Sequence, residues 1–228
     1  MKVNYLMLLG GFAQILVIFG VPLFLAAGTL TWIAGWVYLG LFMIFTVTLS
    51  LWLAKNNPGL LSERMTGIGK GDQKSWDKVW YVITFIVFVG WLAFMGFDAV
   101  RFKWSHIPLW IQAIGALMLI GSFYVFFVTF RENSFLSPAI RVQEDRGQTV
   151  ITTGPYHYVR HPMYAALLLF IPGTALLLGS GFGALFGILV IIAAGWRATQ
   201  EERTLRDELQ GYDAYMHEVK YRLIPYVW

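Results

Sequence analysis

Between Lys2 and Lys55 the chain runs for 52 residues without an Asp, Glu, Lys or Arg. A membrane-crossing helix needs about 20 apolar residues, rising 1.5 Å each, to span a hydrocarbon core of about 30 Å. A charge-free run of this length therefore predicts two spans and a tight turn. Gly28-Thr29-Leu30-Thr31 is the natural break, which places the helices near 5–27 and 32–54. The first apolar run is longer than the roughly 7–15 residues of a cleaved signal core, so it is read as a span.

The pattern recurs downstream. Apolar stretches near 79–97 and 109–130 predict a third and a fourth span. The 35 residues from Pro162 to Trp196 again lack Asp, Glu, Lys and Arg, and are broken at Gly179-Ser180-Gly181-Phe182-Gly183. They reach about 52 Å as helix, less than the ~60 Å of two full crossings. Either both helices are short or the last borrows polar residues. It is expected to continue through Arg197 and end near Leu209, with Gly211 as its stop. The fold class is thus an all-α integral membrane protein of about six transmembrane helices with a cytosolic C-terminal helical extension.

Only 13% of the residues are charged, against about 25% in soluble proteins. No cysteine is present, which excludes disulfides, thiolate metal sites and a cysteine nucleophile. A net charge of +4 and a pI near 9.3 would suit a nucleic-acid binder, but topology accounts for the basic residues. With six spans, 15 of the 17 Lys and Arg fall on the side of the N-terminus, the loops 55–78 and 131–161, and the C-terminal tail; Arg101 and Lys103 fall on the other. The positive-inside bias puts that richer side in the cytoplasm, and no nucleic-acid partner is needed.

Within the 55–78 loop, Asn56-Asn57-Pro58-Gly59 ends the second helix, and Leu60-Leu61 with Glu63-Arg64 suits the membrane surface. Gly67-Ile68-Gly69-Lys70-Gly71 follows no strand and lacks P-loop spacing, so it reads as a connection. Asp98, Arg101, Lys103 and His106 fall in the link between the third and fourth spans, beside the interfacial Trp104 and Trp110. His106 has no second ligand at metal spacing, and no metal site is predicted.

The densest polar chemistry lies in Gly154-Pro-Tyr-His-Tyr-Val-Arg-His-Pro-Met-Tyr164, immediately before an apolar span. Proline favours the first turn of a helix and pushes its predecessor to an extended conformation. His161 is therefore expected to be the last extended residue and Pro162 the first helical one. The free N–H groups of such a helix start suit a carboxylate or phosphate, and Tyr156, Tyr158 and Tyr164 offer ring faces. Composition alone also fits an interfacial turn in an aromatic belt, and Glu201-Glu202 also fits a solvated helix face paired with Arg203 and Arg206.

Gly154-Pro155-Tyr156, Arg160-His161-Pro162-Met163-Tyr164, Glu201-Glu202, and Gly211-Tyr212 with Tyr215 resemble, in order and content, the C-terminal half of the isoprenylcysteine carboxyl methyltransferase family. The Arg-His-Pro-x-Tyr and Glu-Glu elements are also similar to phospholipid N-methyltransferases. The resemblance covers roughly residues 131–228, with weaker similarity to bacterial and archaeal members in Glu132–Ser137 and Asn57–Met65. It implies a single membrane domain over 1–228, with a four-span part over 1–130 and a cofactor-binding catalytic part over 131–228. It also implies S-adenosyl-L-methionine as cofactor. By the family pattern the cofactor pocket falls on Gln148, Thr149, Val150, Ile151, Tyr156, His161, Pro162, Met163, Tyr164 and Glu202. The implied reaction is O-methylation of the carboxylate of a lipophilic, prenylcysteine-like acceptor that enters from the bilayer, with Arg197 and Glu201 as catalytic candidates.

Two departures bear on the acceptor. The arginine that orients the acceptor in the family stands where this chain has Ala198, with Arg197 about 100° round the helix. Ala165-Ala166 replaces a common glycine. Were the acceptor a lipid amine, Glu201 is a candidate base. Two other classes stay open: a sterol-type reductase that binds a nicotinamide dinucleotide with a similar C-terminal layout, and a non-enzymatic transporter or scaffold. The mark of the last would be ionisable residues deep within spans.

Overall fold

A computed structural model describes residues 13–66 and 75–228, and the regular elements among them are helical. The expected start of the first span, residues 5–12, and Gly67–Gly71 lie outside the described residues. The helices are α1 (Ala13–Ala27), α2 (Ile33–Asn56), α3 (Pro58–Thr66), α4 (Ser75–Arg101), α5 (Leu109–Glu132), α6 (Pro162–Leu177), α7 (Gly181–Glu208) and α8 (Tyr212–Glu218). Of these α2, α4, α5 and α7 are long and apolar enough to cross a membrane, while α1 and α6 are shorter apolar helices. The break between α1 and α2 falls where the sequence places it. Gly28 sits at φ 72° and donates its amide to Phe24 O, a left-handed helix stop that suits glycine.

The short α6 lies at the centre. It runs antiparallel to α5, and the two approach closely because Gly115 and Gly173 face one another: a Cβ on either would come within 3.0 Å of the other's carbonyl oxygen. Small residues at such crossings are the usual means of close packing in membranes. About two turns further on, Ser122 Oγ donates to Ala166 O at 3.0 Å. Around this pair the aromatic core closes, with Phe45 stacked on Phe123 at 4.4 Å and Phe126 edge-on to Phe170 at 6.2 Å.

The same registers position the motif. Pro162 is level with about Phe126 on α5, so α5 continues for about 9 Å past the start of α6. On the other side Ile171 packs at Gly187 and Tyr164 meets Arg197, so α7 continues for about 15 Å beyond the same level. The Arg-His-Pro turn thus lies at the foot of a well walled by two longer helices. Residues 133–161 and α8 complete the wall, and α3 packs beneath that loop through the wholly buried Leu60.

One expectation changes at the opposite face. Asp98, read as part of a polar link, is wholly buried, because α4 extends to Arg101 through a π turn at Phe97–Arg101. Its Oδ2 accepts from Ser105 Oγ at 2.8 Å and Ser180 Oγ at 2.5 Å, which ties the end of α4 to the start of α7.

Candidate functional site

The motif is held by contacts that single residues in sequence do not reveal. Gly154 has φ 58°, and a Cβ there would lie 2.4 Å from Glu132 Cγ, so the turn that lifts the chain over α5 requires glycine. Tyr156 is buried beneath it; its hydroxyl accepts from Asn133 Nδ2 at 2.8 Å and its carbonyl accepts from Tyr215 Oη at 2.7 Å. Tyr158, by contrast, is exposed to solvent. His161 is the last residue before the helix, at φ −127°, and Pro162 is the first helical one. The amides of Arg160 and His161 donate to the carbonyls of Tyr221 and Arg222, both at 2.9 Å. Residues 219–223 therefore lie as a strap along the motif.

One cavity in the well is lined by Gln148, Thr149, Val150, Ile151, Tyr156, His161, Pro162, Met163 and Tyr164, nine of the ten residues expected around the cofactor. The tenth is displaced. Glu202 is buried off the lining, with Oε1 accepting from Arg160 Nε at 2.5 Å and Oε2 from Arg222 Nε at 2.6 Å. Both its oxygens are engaged in holding α7 to the motif and the strap. The acid on the cavity wall is Glu201, which accepts from Tyr164 Oη at 2.8 Å. The alternative in which the two acids pair with Arg203 and Arg206 is not what forms: Arg203 donates to Gln200 and Arg206 to Asp213.

Arg197 is buried and lies outside the cavity, on the membrane side of Tyr164. It donates through Nη1 to Tyr164 Oη, and through Nη2 to Asp77 Oδ1 at 2.9 Å and Pro138 O at 3.0 Å. Asp77, wholly buried near the start of α4, also accepts from the Ile140 amide at 3.0 Å. A chain of contacts thus runs Asp77, Arg197, Tyr164, Glu201, from α4 to the cavity. Ala198, at the position of the family's arginine, is fully buried against Tyr164 and Leu223. A long charged side chain has no room there, and the rotation of α7 brings its neighbour Arg197 to Tyr164 instead.

His161 is 4% exposed. Burial holds its imidazole below the ordinary histidine range, partly opposed by Glu201 and Glu202, so the ring is neutral at neutral pH. Its Nε2 is buried and has no hydrogen-bond partner among the described residues. Burial likewise pushes the phenols of Tyr156, Tyr212 and Tyr215 up, and all three line the cavity as neutral hydroxyls.

Sequence reasoning gave no role to Asn133, Arg160, Tyr212 or Tyr215, which also line the cavity, nor to Asp77 and Arg222. Tyr212 and Tyr215 stand in the Gly-Tyr-x-x-Tyr element and Asn133 in the Glu132–Ser137 stretch, so a signal existed for these. Asp77, 120 positions from Arg197, carried none.

On the other side of Met163 and Tyr164 lies an apolar groove between α4, α6 and α7. It is lined by residues such as Thr84, Val87, Leu167, Phe186, Leu189 and Ala193, with Tyr81 and Arg197 at its end nearest the cavity. Met163 and Tyr164 line both spaces. Trp80 and Trp196, with ring centroids 5.0 Å apart, lie between α4 and α7 beside Tyr81 and Arg197.

The described residues thus form a set of membrane helices with a polar well at one face that meets an apolar groove between the spans. A family model for phospholipid methyltransferases matches residues 110–210. Among solved structures, the eukaryotic intramembrane Ras methyltransferase, isoprenylcysteine carboxyl methyltransferase, shares the fold: TM-score 0.55 and 18% identity, covering 94% of this chain and 75% of that one. No curated protein matches in sequence. Residues 110–210 are thus similar to phospholipid methyltransferases, and the fold is similar to that of an intramembrane methyltransferase.

Proposed function

We propose that the protein transfers a methyl group from S-adenosyl-L-methionine to the polar head of a lipophilic acceptor, with donor and acceptor meeting at Tyr164. The observation that carries this reading is the position of Met163 and Tyr164 on both the polar cavity and the apolar groove. A water-soluble donor would reach the cavity from the cytoplasm, where the positive-inside bias puts the motif face. The acceptor would reach the groove from the bilayer.

The cavity residues fit the donor. His161 offers a buried nitrogen with no partner among the described residues, Glu201 a carboxylate for its ammonium, and Gln148 to Ile151 backbone groups for its base and ribose. The amides at the start of α6 suit its carboxylate. When bound, the donor supplies a methyl group on a positively charged sulfur. Attack by an acceptor carboxylate oxygen forms the O–CH₃ bond as the C–S bond breaks; the electron pair stays on sulfur and no proton moves. This chain's part is placement: well-oriented reactants can gain about 7–11 kcal/mol over free encounter. Arg197, held by Asp77 and Pro138, fixes Tyr164 Oη and lies at the groove's end, where an acceptor carboxylate would sit.

One observation favours an amine instead. Arg197 is already matched by Asp77, while Glu201 faces the cavity with Tyr164 as its hydrogen-bond partner. In that reading Glu201 serves as the base that deprotonates the amine rather than as the partner of the donor's ammonium.

Labelled donor incubated with the purified protein and membrane lipid extract of the source organism tests the reading. The expected result is a labelled lipid: alkali releases label as methanol from an ester and leaves an N-methyl amine intact. Binding of NADPH but not of S-adenosylhomocysteine would remove the methyltransferase reading. Arg197→Lys keeps a charge for Asp77 but loses the planar fork, and is expected to slow transfer while leaving S-adenosylhomocysteine affinity unchanged.

A further inference from the structure

The strap that holds the motif continues into six residues without a charge, Leu223-Ile-Pro-Tyr-Val-Trp228. They close into a turn through the backbone. The amides of Leu223 and Ile224 donate to Trp228 O at 2.8 and 3.0 Å, and those of Val227 and Trp228 donate to Ile224 O at 3.2 and 3.1 Å. Leu223 is buried with Tyr164 and Ala198, but the side chains after it point outward: Tyr226 is 88% and Val227 74% exposed, and Ile224 and Trp228 are exposed as well. Tyr226 stands at φ 65°, a conformation that favours glycine. Its ring, beside that of Tyr221 at 5.3 Å, is held out by a strained backbone.

The depth of this turn is set by α7. The Trp228 ring lies 3.5 Å from where a Cβ on Gly195 would stand. Next to Gly195 is Trp196, the last residue of the charge-free run, and its ring meets Trp76 at 5.9 Å and Trp80 at 5.0 Å. Trp and Tyr gather where hydrocarbon gives way to head groups. On the membrane side of this level the exposed face of α7 carries Leu185, Ile188, Leu189 and Ile192. The turn therefore prolongs the lipid-facing surface beyond the spans, and an exposed apolar patch so placed marks a contact. Lys220, exposed on the strap, adds a positive charge that suits anionic lipid.

We infer that residues 223–228 are a foot set among the lipid head groups on the motif face, and that the bilayer, through this foot, holds the strap on the motif. The coupling is short. The Arg222 guanidinium lies 5.4 Å from the Trp228 ring centroid and donates Nε to Glu202 Oε2 at 2.6 Å. The carbonyls of Tyr221 and Arg222 accept from the amides of Arg160 and His161. A foot that leaves the lipid frees the residues that fix His161. The partner is a lipid surface, since the turn is continuous with the lipid-facing helices at the level of their tryptophans.

The protein has no cysteine, so Val227→Cys takes a single spin label in protein reconstituted into lipid bilayer discs. Asp213→Cys is the control, because Asp213 pairs with Arg206, about 16 Å further along α7 from Gly195. The label at 227 is expected to be relaxed by oxygen more than by an aqueous nickel chelate, and the label at 213 the reverse. Equal access of the chelate to both overturns the foot. So does spin–spin broadening at 227 that dilution with unlabelled protein removes, since a second copy then covers the turn. The coupling is read from Tyr226→Glu combined with Val227→Glu in the same discs, against Tyr226→Phe combined with Val227→Leu. Hydrogen exchange in the peptide spanning residues 158–164 is expected to quicken in the acidic variant and to match wild type in the other; unchanged exchange overturns the coupling. On the donor reading proposed above, the acidic variant also loses about fivefold or more in S-adenosylhomocysteine affinity, the low end of coupling between sites. Wild-type protein that binds no S-adenosylhomocysteine removes the donor reading, while depth and exchange still decide the foot.

Discussion

The cavity at the motif face and the groove between α4, α6 and α7 touch at Tyr164, yet they are built by opposite means. The cavity wall is pinned by directional contacts from distant parts of the chain. Asn133 holds Tyr156, Arg160 and Arg222 hold Glu202, and Arg197 holds Tyr164. The groove exists because helices fail to pack, and its walls are largely hydrocarbon. The difference teaches where specificity resides. A polar cavity recognises by angle and charge, and one misplaced partner spoils it. An apolar groove in a membrane recognises by shape, and single side chains matter little unless they block it.

The largest effect is expected at Glu202. Its side chain and that of Arg160 are 4% and 5% exposed, and removing one partner of a buried ion pair typically costs about 3–5 kcal/mol. Glu202→Ala is expected to lower thermal stability in detergent by that order and to abolish S-adenosylhomocysteine binding along with it. Wild-type stability with lost binding would mean that Glu202 faces the donor after all. Glu201→Gln sharpens the contrast between neighbours: loss of one charge-assisted contact of about 1.5–3 kcal/mol predicts a drop of roughly 10- to 150-fold in S-adenosylhomocysteine affinity by calorimetry, with little change in unfolding temperature.

His161 gives a smaller, pH-dependent signature. Its imidazole is held below the ordinary value of about 6.5 in the folded protein, so between the two values the unfolded chain binds the extra proton. The stability it contributes is complete above about pH 6.5 and is lost as pH falls below it, with a slope of up to about 1.4 kcal/mol per pH unit. The difference in unfolding temperature between wild type and His161→Gln, followed from pH 8 to 5, is expected to shrink on the acid side. A flat difference would break the assignment. The smallest effect belongs to the groove: Leu189→Ala is expected to raise the acceptor KM by roughly two- to fivefold, the worth of about one methylene, with donor affinity untouched. A loss as large as that of Glu201→Gln would erase the distinction between the two regions.

Much of this was readable in advance. The Gly28 stop, the helix start at Pro162 and the run of α7 past Arg197 to Glu208 all fall where sequence puts them. So does the gathering of residues 148–151 with the motif. The choice between two adjacent acids was not readable. Glu201 and Glu202 are separated by about 100° on the helix, and which one meets the cavity depends on where Arg160 and Arg222 stand. Nor was the role of Arg197, since its partner Asp77 lies on another helix, nor the burial of Asp98 by a π turn.

The sequence by itself determined that this chain is a set of membrane helices with its chemistry gathered at one end, because length, apolarity and proline or glycine at the helix ends act on contiguous residues. Only the tertiary structure decided which side chains face the cavity, which ones brace its wall, and that an apolar groove adjoins it. Those follow from the angles at which α4, α6 and α7 meet, and a helix's own sequence fixes the direction of each side chain without fixing what stands opposite it.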